Sequence, residues 1–377
     1  MKNVTLLLLF AAILFSSCTE QTAEEVVKIG YIAPLSGENA KTMKLSLNGV
    51  EYTVQRCNED GGLQVGETKR KIELVIRDNE DEIEKSVAIA HELINQEKVA
   101  AIVGLPLSRN AIPVARVTHE AGVPLITSSA THPDVTIDKP CVFRISFTDD
   151  FQGKLLAHFV FDDLGKRRAA ILYDIASVYN KTISDFFTDT FSKLGGEIAI
   201  AETYTTGTVN FMPHIKRIAA ENPEVVFLPN YNPDLRLQIP VLKEYVPGAV
   251  ILGSDSMSTP NREDMLLYDG AFFSTHFSAK DPSEQVQSFV SRYEAEYGDE
   301  PSPLIALTCD ALNLLFSAAN EMKSVDSADI CKGLNEIKEF DGLTGKMRFD
   351  KQGDPQKSAV ILQYRDGEAA FYKTIQP

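Results

Sequence analysis

The apolar positions of this chain change period in a regular way. Val26–Ala33 is a nearly continuous apolar run, closed by Pro34-Leu35-Ser36-Gly37. Met43, Leu47, Val50 and Val54 then recur at helical spacing until Gly61-Gly62. Ile72, Leu74 and Ile76 alternate as a strand. Ile83, Val87, Ala90 and Ile94 return to the helical period, and Val99–Val103 and Val123–Ile126 are apolar runs of strand length. Continuous apolar strands separated by amphipathic helices predict a parallel sheet covered on both faces.

The rhythm restarts at Val142–Ile145. A helical pattern covers Phe151–Leu164, and Ala169–Tyr173, Ile198–Tyr204, Val225–Leu228 and Val250–Leu252 read as strands. Helical stretches such as Ile183–Leu194 and Ile215–Ala220 lie between them. Phe289–Met322 is largely helical, and Lys346–Phe349 with Val360–Tyr364 closes the chain in strands. Two strand–helix series with a helical return predict two doubly wound lobes and a chain that crosses between them more than once. Ligands in such folds sit at the carboxyl ends of strands and between lobes.

One strand end is conspicuous. In "LITSSATHP", residues 125–133, Thr127, Ser128, Ser129 and Thr131 place four hydroxyls in five positions. A polar loop with helix-capping residues accounts for them without a ligand. A small anion site made of hydroxyls and free backbone N–H groups accounts for them with one.

Composition narrows the partners. The 377 residues suffice for two domains. Hydrophobic residues at 44% and charged residues at 24% are ordinary for a soluble globular protein. A net charge of −16 argues against nucleic acid or an anionic membrane surface as partner. No apolar run after the N-terminus reaches membrane-spanning length. At the N-terminus, Lys2 precedes an apolar run from Val4 to Phe15 and then Ser16-Ser17-Cys18, the pattern of an export signal. "LFSSC" resembles a bacterial lipobox, with Phe15 where Leu is commonest, and makes Cys18 the expected lipidation site. Cys57, Cys141, Cys309 and Cys331 could form two disulfides or remain buried thiols, and spacing does not decide.

No G-x-G-x-x-G, G-x4-G-K-[ST] or G-x-S-x-G is present, which weakens dinucleotide, nucleotide and serine-hydrolase readings. The six histidines show no metal-ligand spacing. The acidic run "DNEDE", residues 78–82, lacks calcium-loop spacing and reads as a solvated helix cap. No cofactor or metal is expected, and no enzyme constellation is visible.

Taken together, "VKIGYIAPLSGENAKTMKLSLNGVEYTVQRCNEDGGL", "ELVIRDNE", "AAIVGLPLS", "GVPLITSSATHP", "FRISFTDDFQG" and "MRFDKQGDP" resemble the leucine/isoleucine/valine-binding proteins of branched-chain amino acid ABC transporters. The resemblance runs from Val27 to about Tyr372. It implies an α/β fold of two Rossmann-like lobes, the type I periplasmic binding protein or flytrap, joined by three crossovers. It implies residues 1–17 as signal peptide and 18–26 as lipidated tether. Residues 27–147 with 278–341 form the first lobe, and 148–277 with 342–377 the second. It implies a carboxylate grip by Ser108, Ser129, Ala130 and Thr131, an ammonium acceptor at Asp255, and flanking tyrosines at Tyr179 and Tyr231. The chain departs from the resemblance at Thr42, where an aromatic residue is common, and at Leu304, Ile305 and Leu307, where an aromatic wall is usual. Arg109 beside Ser108 could recruit a second anion or be a solvated helix-start residue. The expected function is a monomeric, lipid-anchored receptor outside the cytoplasm that delivers a small amino acid to a membrane permease. A sensor of the same fold and a binder of other carboxylates or amides are the alternatives.

Overall fold

The computed structural model describes residues 26–260 and 262–377. The export segment 1–17 and Cys18 lie outside the described residues. Val27–Ala33 forms β1, and its two neighbours, β2 (Ile72–Asp78) and β3 (Ala101–Gly104), pair with it in parallel. β4 (Leu125–Thr127) and β5 (Val142–Arg144) extend the sheet on the β3 side, giving the order β2-β1-β3-β4-β5. Helices α2 (Ile83–Glu92) and α3 (Ser108–Ala121) cover one face. The other face carries α1 (Ala40–Glu59) and two helices that return late in the chain. Both faces are covered, so the inner strands are apolar throughout, while the edge strand β2 keeps its alternation. Each fully buried Val, Ile or Leu contributes roughly 1.5–3 kcal/mol.

The second lobe repeats the plan. β6 (Arg168–Asp174), β7 (Glu197–Tyr204), β8 (Val225–Leu228), β9 (Val250–Gly253) and β10 (Phe272–Thr275) are parallel. β11 (Ala359–Arg365) and β12 (Glu368–Ile375) join antiparallel at the β10 edge, for an order β12-β11-β10-β9-β8-β6-β7. One face packs against α4 (Asp149–His158) and α5 (Val178–Lys193), the other against α6 (Met212–Ala220) and α7 (Asn232–Tyr245).

After β10 the chain recrosses to the first lobe and forms α8 (Glu284–Tyr297), α9 (Pro303–Met322) and α10 (Ser327–Glu336). α9 is long and apolar because it is a core helix, with most of its surface buried. It crosses α1 closely: a Cβ on Gly49 would come within 2.7 Å of the Ile305 carbonyl, and Ser46 and Thr308 hydroxyls meet at 2.9 Å. Only a glycine permits that approach.

One boundary is corrected. The resemblance puts residues 342–356 in the second lobe. The structure packs them on the first, in a small sheet of Glu339–Gly342, Gly345–Phe349 and Pro355–Gln356. Met347 is buried in the first-lobe core, and Thr344 donates its N–H and hydroxyl to Asp310 on α9, both at 2.8 Å. The third crossover therefore falls at Lys357–Ser358. Cys141 and Cys331 form a disulfide with Cα atoms 5.0 Å apart, while Cys57 and Cys309 are free.

Candidate ligand-binding site

The switch point of the first sheet lies between β1 and β3, and there the backbone is forced into a sharp turn. Gly104 has φ +118°, and a Cβ on it would lie 2.5 Å from the Ile32 carbonyl. Leu105 follows with φ +48° and donates its N–H to that carbonyl at 2.7 Å. The turn delivers Ser108 to the start of α3, beside the end of β4. There Ser128 N–H reaches Gly104 O at 3.2 Å. The next three N–H groups, of Ser129, Ala130 and Thr131, donate to no protein acceptor among the described residues. Unclaimed backbone donors at a strand end are the chemistry that anion-binding concavities use.

The hydroxyls of this cluster divide their work. Ser108 Oγ accepts from His132 N–H at 3.3 Å, and Ser129 Oγ donates to Pro106 O at 3.1 Å. Both stitch the two loops together. Ser108, Ser129 and Thr131 line the cleft. Ala130 does not: it is fully buried, and its carbonyl accepts from Arg144 Nη1 at 2.9 Å and from Ser146 Oγ at 3.3 Å. Arg144, itself fully buried, also donates from Nη2 to His132 O at 2.9 Å and to Thr136 Oγ1 at 2.7 Å. The guanidinium thus holds the loop's carbonyls on the side away from the cleft.

The opposite wall comes from the second lobe. Asp255 follows β9 and is almost buried, its side chain 11% exposed. Oδ1 accepts from Tyr179 Oη at 2.7 Å and from Gln152 Nε2 at 3.0 Å; Oδ2 lies 3.3 Å from His276 Nε2. Burial pushes its carboxyl up, but the bond from His276, with those from Tyr179 and Gln152, outweighs it and holds the group below the usual range. Burial pushes the His276 imidazole down despite Asp255. A ring with its proton on Nε2 donates to Asp255, while its Nδ1 has no partner among the described residues. Asp255 is therefore an ionised carboxylate held by Tyr179, Gln152 and His276, with no lysine or arginine paired to it among the described residues. Tyr231 stacks obliquely on Tyr179 with ring centroids 5.5 Å apart. Tyr179, Tyr231, Asp255 and His276 share the cleft wall.

The cleft encloses about 590 Å³, part of it open to solvent. No lysine or arginine lines it among the described residues. An anion there is held by neutral donors, and a cation by one carboxylate. Thr42, Met43, Leu304 and Leu307 supply the remaining wall, so the two departures from an aromatic lining both fall in the cleft, while Ile305 packs elsewhere. Arg109 is neither a second anion receptor nor solvated alone. Its Nε donates to Asp81 at 2.9 Å, and Asn110 and Asn39 donate to the same carboxylate at 2.8 and 2.9 Å. Asp78 accepts from the Leu35 N–H at 2.8 Å. Within the acidic run Asp78 and Asp81 thus brace the cleft rim, while Glu80 and Glu82 are exposed and Glu82 stands at the N-cap of α2.

The family profile described as periplasmic binding protein matches residues 26–369. The chain belongs to the periplasmic binding protein family. It is 28% identical over 363 residues to the Leu/Ile/Val-binding protein BraC3 of Rhizobium johnstonii, covering 95% of this chain and 97% of that protein. Its fold matches the leucine-binding protein LivK of Thermotoga maritima with a TM-score of 0.86, 28% identity, and coverage of 93% and 99%. It matches the branched-chain amino acid transporter substrate-binding protein LivJ of Streptococcus pneumoniae, in complex with isoleucine, equally well: TM-score 0.86, 26% identity, coverage 94% and 100%. The type I fold of two α/β lobes is thereby established for this periplasmic binding protein.

Sequence reasoning missed His276, Gln152 and Arg144. His276 follows the end of β10 directly, so the strand-end rule that found Ser129 and Asp255 also points to it. Gln152 sits in "TDDFQG", a motif visible in the sequence without a role. Arg144 carried no signal, because a buried guanidinium looks like a surface one until its partners are known.

Proposed function

We propose that this periplasmic binding protein takes up a small amino acid between its lobes and delivers it to an ABC permease, tethered to the membrane through a lipid on Cys18. The observation that carries the reading is the Asp255 carboxylate on one side of the cleft and, on the other, Ser129 and Thr131 with N–H groups that no acceptor among the described residues claims. A zwitterion carries the complement of each, and a ligand touching both lobes favours closure through differential contacts. Met43, Leu304 and Leu307 support a small aliphatic side chain. Relatives named for leucine, isoleucine and valine agree with that choice. "LFSSC" supports the lipid anchor.

The test is a thermal-shift screen of the twenty standard amino acids, followed by calorimetry of the best binder, its carboxamide and its des-amino analogue. The amino acid should bind at least tenfold more tightly than either, each lost charge-assisted contact contributing about 1.5–3 kcal/mol. Equal affinity for the carboxamide removes the carboxylate grip. Equal affinity for the des-amino acid removes the ammonium site. For the anchor, Cys18→Ser should abolish membrane association; a variant still processed and membrane-bound refutes it.

A further inference from the structure

Asp149 is the first residue of α4 and is completely buried. Neither carboxyl oxygen has a hydrogen-bond partner of normal geometry among the described residues, although the Thr131 hydroxyl is close enough to act on the group. Its N–H donates to the Thr131 carbonyl at 3.0 Å, which sets it directly behind a residue of the cleft wall. One turn along the same helix, Gln152 donates to Asp255. The start of α4 therefore ties Thr131 on one wall to the ammonium acceptor on the other.

We infer that Asp149 is a second carboxyl of the ammonium site, reached through the Thr131 hydroxyl, and that a bound amino acid displaces a proton from it. This rests on the amino acid reading above. Five titratable or charged groups face Asp149: Asp255, Arg144, Asp150, Tyr179 and Tyr231. Burial raises its carboxyl well above the ordinary value, and Asp255 adds to that; the Thr131 hydroxyl and Arg144 oppose it without prevailing. Arg144 is already committed to Asp354. Two carboxyls in one desolvated site do not both ionise until a cation arrives. The empty protein thus holds Asp255 ionised and Asp149 neutral.

A ligand ammonium supplies the cation. Thr131 Oγ1 has lone pairs for the ammonium and an O–H for Asp149. It can accept from the first while donating to the second, and that second bond is strongest when Asp149 is ionised. The carboxylic acid O–H bond breaks, the proton leaves to solvent, and the ammonium keeps its three protons. Thr131 then serves both ends of the zwitterion, through its N–H for the carboxylate and its hydroxyl for the ammonium. Binding that releases one proton strengthens by about tenfold per pH unit until the group ionises unaided.

The test has two arms. Infrared spectra of ligand-free protein carrying carboxyl-labelled aspartate should show a neutral-acid carbonyl band at neutral pH that Asp149→Asn lacks. Calorimetry with L-leucine in two buffers of different ionisation enthalpy should show about one proton released per ligand by the wild type, none by Asp149→Asn, and a flat pH profile for the variant. Wild-type infrared titration needs no variant to fold. The absence of the band, or binding without proton release, overturns the role of Asp149 alone. Failure of every standard amino acid to bind overturns the ligand reading and the release step with it.

Discussion

Arg144 Nε and Asp354 Oδ1 lie 2.5 Å apart, joining the last strand of the first lobe to a turn 210 residues later. The same carboxylate oxygen accepts from Thr136 Oγ1 at 2.7 Å. The pair fixes the guanidinium that holds the Ala130 and His132 carbonyls away from the cleft, so a contact at the third crossover shapes the anion loop.

Asp354→Asn leaves that guanidinium buried without its counter-charge. Breaking such a pair costs about 3–5 kcal/mol. Urea unfolding should lose stability on that order, and affinity for the best-binding amino acid should fall with it. A variant within about 0.5 kcal/mol of wild type would mean that the pair holds nothing.

Asp255→Asn keeps the shape of the site and removes its charge. Leaving a ligand ammonium buried and unpaired costs about 3–5 kcal/mol, or roughly two to four orders of magnitude in affinity. Calorimetry with the best-binding amino acid measures it, and circular dichroism checks the fold. Wild-type affinity in the variant would make Asp255 a turn residue.

The Cys141–Cys331 bond closes a span of 190 residues, yet both ends belong to the first lobe and neither lines the cleft. Replacing both cysteines by serine should cost about 2–5 kcal/mol in unfolding free energy. Ligand affinity measured well below the melting temperature should stay within about threefold of wild type, since less than about 0.7 kcal/mol reaches the site. A large affinity loss in a folded variant would show the bond to act on the cleft itself.

Lys357 is buried at the third crossover, where its ammonium reaches Thr344 Oγ1 and, at 3.3 Å, the Ile145 carbonyl. Burial pushes it down to about 7, only partly opposed by Asp310. Between about pH 7 and the ordinary value of 10.5, the unfolded chain keeps this proton and the folded chain does not. Stability from this group therefore rises with pH across that window, and it is level below it, where both states are protonated. Between about pH 7.5 and 9.5, wild type should gain about 2 kcal/mol on Lys357→Met in urea unfolding. Parallel profiles would mean that Lys357 stays charged in the fold.

The sequence by itself determined the strand–helix rhythm, the two doubly wound sheets and the strand ends that line the cleft. These rest on local periodicity: strands buried on both faces are apolar throughout, helices are apolar every three to four residues, and a strand's carboxyl end follows from its length. Ser129, Thr131 and Asp255 were legible in that way, and the family resemblance supplied Ser108, Tyr179 and Tyr231 and all the expected roles. Tertiary structure alone decided which carbonyls Arg144 claims, that Ala130 turns from the cleft, that residues 342–356 belong to the first lobe, that Cys141 meets Cys331, and that His276 and Gln152 hold Asp255. Each of these contacts joins residues between 11 and 210 positions apart. No residue's neighbours in the chain encode such a pairing, because it exists only once two sheets have folded and the crossovers have brought their ends together.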